Sequence, residues 1–188
     1  MNVLKKSNIP NFLSVFRILL VPVFVYLFQV SKQHGLAVGV FLLAGVTDVI
    51  DGFLARHYNW ISNIGKILDP FADKCMQIAA LLCLGQSGFV PWWIVGILVF
   101  KEFVLLIGAF CALKKEKVYV QAGWYGKAGT VAFYIIATLL VLVENMSDSL
   151  RLVLGVMLIL FMLFALAMYV VNYKKNIMHS DMKSEVVK

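Results

Sequence analysis

Four of the six aspartates in this chain lie between positions 48 and 73, in sequence that is otherwise apolar and helical in period. They read Asp48-x-x-Asp51-Gly52-x-x-Ala55-Arg56, then eight residues, then Gly65-x-x-x-Asp69-x-x-x-Asp73. A spacing of three or four puts both carboxylates of a pair on one helix face. Ionised groups at membrane depth are costly unless they are paired, hydrated or bound to a cation. Four carboxylates brought together would repel one another. Two divalent cations would cancel that charge, held by the hard oxygen donors that Mg²⁺ prefers. A two-metal site of this kind stabilises the attacking and leaving oxygens of phosphoryl transfer. Gly52, Ala55 and Gly65 fit the same geometry, since small residues let helices approach closely and leave room for a bulky ligand.

The elements that must hold these carboxylates are set by composition. The 188 residues are 62% hydrophobic and 14% charged, and most of the apolar sequence falls in runs of about twenty, the length that crosses a bilayer. The expected class is an all-α integral membrane protein, a six-transmembrane-helix bundle forming one domain over residues 1–188. The expected spans are 11–30 with Pro22 kinking the first, 36–56, 65–84, 91–113, 126–143 and 149–173. Residues 1–10 read as an interfacial lead-in and 174–188 as a polar, mobile tail. The short 57–64 connection predicts that the second and third spans are antiparallel neighbours, with both aspartate pairs near their connected ends.

The net charge of +7 does not call for nucleic acid. Lys and Arg gather at the ends of apolar runs, as expected for headgroup contacts and topology signals. They are concentrated in the N-terminus, residues 56–66, residues 114–117 and the tail, which predicts that both termini and the aspartate cluster are cytoplasmic. Cys75, Cys83 and Cys111 are scattered in apolar stretches without metal-ligand spacing and read as small buried hydrophobes. The three histidines read as solvated surface groups. The first apolar run is too long for a signal-peptide core and lacks a following cleavage site, so a membrane-anchored first span is expected.

The whole pattern resembles the D-x-x-D-G-x-x-A-R-(x8)-G-x-x-x-D-x-x-x-D signature of the CDP-alcohol phosphotransferases (CDP-alcohol phosphatidyltransferase class I). Asp48, Asp51, Gly52, Ala55, Arg56, Gly65, Asp69 and Asp73 match its eight fixed positions and its spacer. The size, the six-span organisation and the Asn11-Phe-Leu-Ser14-x-x-Arg17 segment extend the resemblance over most of the chain. It implies an integral-membrane homodimer, located in the cytoplasmic membrane, that uses two Mg²⁺ or Mn²⁺ ions and releases CMP from a CDP-linked donor. Carried over by position, Asp48, Asp51 and Asp69 are metal ligands, and Asp73 is both at the metal site and the general base. Asp48, Gly52, Ala55, Arg56, Gly65 and Asp69 would contact the CDP donor. Arg56 suits phosphate because its charge is permanent and its donors form a fork.

Within that family the chain looks most like the bacterial phosphatidylglycerophosphate synthases, which implies CDP-diacylglycerol as donor and glycerol 3-phosphate as acceptor. Arg17, Lys101 and Lys127 are the candidate acceptor contacts. Two further basic positions expected of that group are Ala109 and Gly129 here. Phosphatidylglycerol is the alternative acceptor, giving a CMP-forming cardiolipin synthase, because its phosphodiester carries one charge and needs fewer cations. Two other classes fit the pattern less well. An aspartate-rich prenyltransferase would have two motifs far apart in sequence. A cation transporter would place its carboxylates at mid-membrane and favour internal repeats, and none is evident.

Overall fold

The computed structural model describes residues 9–58, 65–114, 124–143 and 146–186 and has no strand among them. Six α-helices follow in order: α1 (Ile9–Val25), α2 (His34–His57), α3 (Gly65–Gln86), α4 (Trp92–Lys114), α5 (Trp124–Leu142) and α6 (Asp148–Val186). Pro22 lies inside α1 and cannot give an N–H to the carbonyl one turn back. The α-helix ends three residues later and continues as a π-helical turn, Tyr26–Val30. Between α3 and α4, Gly88 turns the chain at φ +71°, a conformation that costs little without a Cβ.

Three segments are long and apolar enough to cross a membrane: Asn11–Val30, His34–Leu54 and Asp148–Met168. A shorter apolar stretch covers Ala128–Leu142. Large apolar side chains face outwards on several helices, among them Phe12, Leu19, Val49, Phe100 and Leu160. That is how a bundle looks when its solvent is hydrocarbon. The interior is equally apolar, and Phe24, Phe41 and Phe133 meet at its centre with Phe41 stacked on Tyr134 at 4.3 Å.

The structure departs from the sequence expectation in three places. First, α1 packs against both α2 and α3, whereas α2 and α3 touch each other only sparsely. The first helix is therefore wedged between the two aspartate helices, which are not direct neighbours along their length. Second, α6 runs on to Val186. Residues 174–186 contain no Gly or Pro to stop it, so helix continues where a mobile tail was expected. Third, His34 is the first residue of α2 and packs its ring on Phe28 and Phe89, and His57 stacks on Phe53. His34 is thus half-buried in aromatic contacts rather than a solvated surface group, whereas His57 is exposed as expected.

Candidate active site

Asp48 and Asp51 leave the last three turns of α2, and Asp69 and Asp73 leave the first half of α3. They are brought together through α1. The Ser14 hydroxyl donates a hydrogen bond to Asp69 Oδ1. Arg17, one turn further along the same face, donates from Nη2 to Asp51 Oδ2 at 2.5 Å, and its Nη1 lies 2.7 Å from Asp48 Oδ1. Both α1 side chains are completely buried. One polar stripe on an apolar helix thus ties the two halves of the aspartate pattern to each other.

The charges here do not balance. Asp48 and Asp51 share one guanidinium, while Asp69 accepts from the neutral Ser14 hydroxyl. Asp51 is 3% exposed, but Asp48 is 37% exposed and open to whatever approaches. The donors are all hard oxygens, and the uncompensated charge is negative. On both counts the residues suit Mg²⁺ or Mn²⁺. Among the described residues, no three His, Cys, Asp or Glu side chains stand close enough to hold an ion as they are. The reason is visible: Arg17 sits between Asp48 and Asp51 and would have to withdraw for both to bind one cation.

Asp73 belongs to a second group of charges, which faces α4. Lys74 Nζ lies 3.2 Å from Asp73 Oδ2, 3.0 Å from Gln77 Oε1 and 2.8 Å from Glu102 Oε2. Gln77 Nε2 donates to Asp73 at 3.3 Å. On α4, Lys101 Nζ sits 2.5 Å from Glu102 Oε1 and 3.1 Å from Met162 Sδ of α6. Two carboxylates here face two ammonium groups. Asp73 and Lys74 keep slight exposure, while Glu102 and Lys101 are buried.

Beside Asp48, α2 and α5 leave an open groove of about 500 Å³, lined almost wholly by apolar side chains. Tyr134 and Thr138 also line it, and neither hydroxyl has a hydrogen-bond partner among the described residues. Gly45 shapes this groove, because a Cβ there would meet Tyr134 Cε1 at 2.8 Å.

The structure places the remaining sequence candidates unevenly. Gly65 is buried and Gly52 half-buried at the aspartate end. The side chains of Ala55, Arg56 and Lys127 lie outside the described residues. Arg17, expected at an acceptor, has both ends of its guanidinium against aspartates. Lys101, also expected there, has its ammonium against Glu102. Sequence reasoning gave no role to Lys74, Gln77, Glu102 or Tyr134, and read Ser14 only as part of the N-terminal segment. Polar residues inside apolar helices were the available signal.

The family model for CDP-alcohol phosphatidyltransferase matches residues 7–173, almost the whole chain. The chain belongs to the CDP-alcohol phosphatidyltransferase family. A Mycobacterium tuberculosis member named "Putative cardiolipin synthase" is 36% identical over 129 residues, covering 68% of this chain and 61% of that protein. A Haemophilus influenzae member named CDP-diacylglycerol–glycerol-3-phosphate 3-phosphatidyltransferase is 34% identical over 132 residues, covering 68% and 71%. A Bacillus subtilis member of the same name is 35% identical over 153 residues, covering 74% and 78%. The match thus spans about three fifths of the mycobacterial protein's length. Family relatives at similar identity carry two different acceptor names.

Proposed function

We propose that this chain transfers a phosphatidyl group from CDP-diacylglycerol to the hydroxyl of an acceptor alcohol and releases CMP, as a membrane enzyme of phospholipid biosynthesis. The observation that carries this reading is the joining of the α2 and α3 aspartates by Ser14 and Arg17 of α1, at the edge of an apolar groove. In this reading the bundle is a six-span homodimer with both termini and the aspartate end on the cytoplasmic side. The positive-inside bias supports that orientation.

The residues divide the work as follows. Asp48, Asp51, Asp69 and Asp73 would hold two Mg²⁺ or Mn²⁺ ions, which when bound supply positive charge against the diphosphate and a better leaving group. Gly52, Ala55, Arg56 and Gly65 would take the nucleotide and diphosphate. The apolar lining of the α2–α5 groove suits an acyl chain of the donor. Asp73 accepts the proton of the acceptor hydroxyl as that oxygen attacks the phosphorus bearing the diacylglycerol. The new P–O bond forms, the bond to the CMP phosphate oxygen breaks, and its electron pair leaves with CMP.

Glycerol 3-phosphate is the proposed acceptor, giving phosphatidylglycerophosphate. The Haemophilus and Bacillus relatives support it, as do the Lys101 and Lys127 positions. Phosphatidylglycerol is favoured by separate observations. Lys101 is already paired with Glu102. Gly129 is buried where a Cβ would come within 3.3 Å of Ala165 Cβ, so a larger side chain there would have to shift α6 slightly, and the position carries no cation. The test is to give purified protein CDP-diacylglycerol and Mg²⁺ with either acceptor and to identify the lipid formed. Phosphatidylglycerophosphate supports the first reading. Cardiolipin with phosphatidylglycerol, and no product with glycerol 3-phosphate, replaces it with the second.

A further inference from the structure

Glu102 is a buried carboxylate in the middle of an apolar helix, and no step above uses it. Its side chain is 1% exposed. One carboxylate oxygen meets Lys74 at 2.8 Å and the other meets Lys101 at 2.5 Å. Burying a charge this deeply is costly, and the cost is offset only when both oxygens are matched. The Lys74 ammonium in turn lies within ion-pair distance of both Glu102 and Asp73 and donates a hydrogen bond to Gln77 Oε1. The charges alternate from α3 to α4 in the order Asp73, Lys74, Glu102, Lys101.

We infer that Glu102 is a positioning residue for Asp73, acting through Lys74. Without Glu102, Asp73 is the one carboxylate among the described residues left in ion-pair contact with the Lys74 ammonium. Lys74 would then close onto Asp73 as a tight pair, taking the lone pairs that a base and metal ligand must keep available. Glu102 draws Lys74 towards α4, so that Lys74 orients Asp73 without capturing it. This role rests on the proposed phosphatidyl transfer.

The effect belongs on turnover, because Glu102 touches neither the groove nor the Asp48 side of the site. Glu102→Gln keeps the size and removes the charge. We expect it to lower kcat at least about tenfold while leaving KM for CDP-diacylglycerol within about twofold. Glu102→Asp, which keeps the charge, should recover part of that loss. In a Lys74→Met background, Glu102→Gln should cost no further kcat, since the residue it acts through is gone.

A Glu102→Gln kcat within about twofold of wild type would overturn the inference. So would effects of the two substitutions that multiply. If Glu102→Gln alone does not fold in detergent, the charge-balanced pair with Lys74→Met decides by the same comparison with Lys74→Met. Wild-type protein that releases no CMP with either acceptor overturns the proposed reaction itself. An active wild type with an unaffected Glu102→Gln overturns only the positioning role.

Discussion

The two charged groups of this bundle lie near each other and are built in opposite ways. Where α1 meets α2, two carboxylates meet one guanidinium, Asp69 of α3 has a neutral hydroxyl beside it, and Asp48 stays more than a third exposed. At the α3–α4 joint, two carboxylates meet two ammonium groups, and Glu102 is sealed in. The first carries negative charge that a cation can satisfy, at a point where a ligand can arrive. The second is balanced within the protein and leaves little to bind. The difference separates a site that must change partners from a scaffold that must not. Asp73 sits on the boundary between them, which is where a group that both orients and reacts is useful.

The largest expected effect comes from that boundary. Asp73→Asn removes the base and a metal ligand while keeping the shape. CMP release should fall by about 10²-fold or more, with the detergent melting temperature little changed. Near-normal turnover would sink the base assignment. Next, Arg17→Ala leaves Asp48 and Asp51 without their counter-charge and should cost about 3 kcal/mol of stability. Mg²⁺ should restore much of that loss, because the cation no longer competes with a guanidinium. Lys74→Met should destabilise comparably, yet Mg²⁺ should rescue it less, since Glu102, which loses a counter-charge, is buried. Thermal unfolding with and without Mg²⁺ reads both, and equal rescue would erase the contrast.

Smaller effects follow at the edges. Gly45→Ala forces Tyr134 to move and narrows the groove beside Asp48. Its expected signature is a several-fold rise in KM for the lipid donor with kcat nearly held. Steady-state rates against donor concentration in mixed micelles would show it, and an unchanged KM would remove the groove from the account. Ser14→Ala deletes one hydrogen bond to Asp69 and should cost about 1 kcal/mol, read by the same melting assay.

The carboxylate pattern was legible in the sequence because helical spacing fixes which residues share a face. Apolar run length placed the helices to within a few residues: α3 was expected to begin at Gly65 and does, and α4 ends at Lys114, one residue past the expected end. Spacing does not say what a face will meet. The short link between α2 and α3 suggested direct neighbours, yet α1 lies between them and supplies the joint. Arg17 read as a ligand contact because a lone cation in an apolar span invites that reading, while its partners are 31 and 34 positions away in sequence. Lys74 and Glu102 hold each other across two helices, a pairing no local period reveals. Polar composition past Tyr173 suggests a helix end, yet α6 runs on because no Gly or Pro is there to end it.

Divalent-cation-dependent release of CMP by the purified protein tests the central claim most directly. With CDP-diacylglycerol and an acceptor, CMP should appear in Mg²⁺, stop when EDTA removes the ion, and return when Mg²⁺ or Mn²⁺ is added back. CMP release that ignores EDTA, or no release with either glycerol 3-phosphate or phosphatidylglycerol, would contradict a metal-assisted phosphatidyl transfer at the four aspartates.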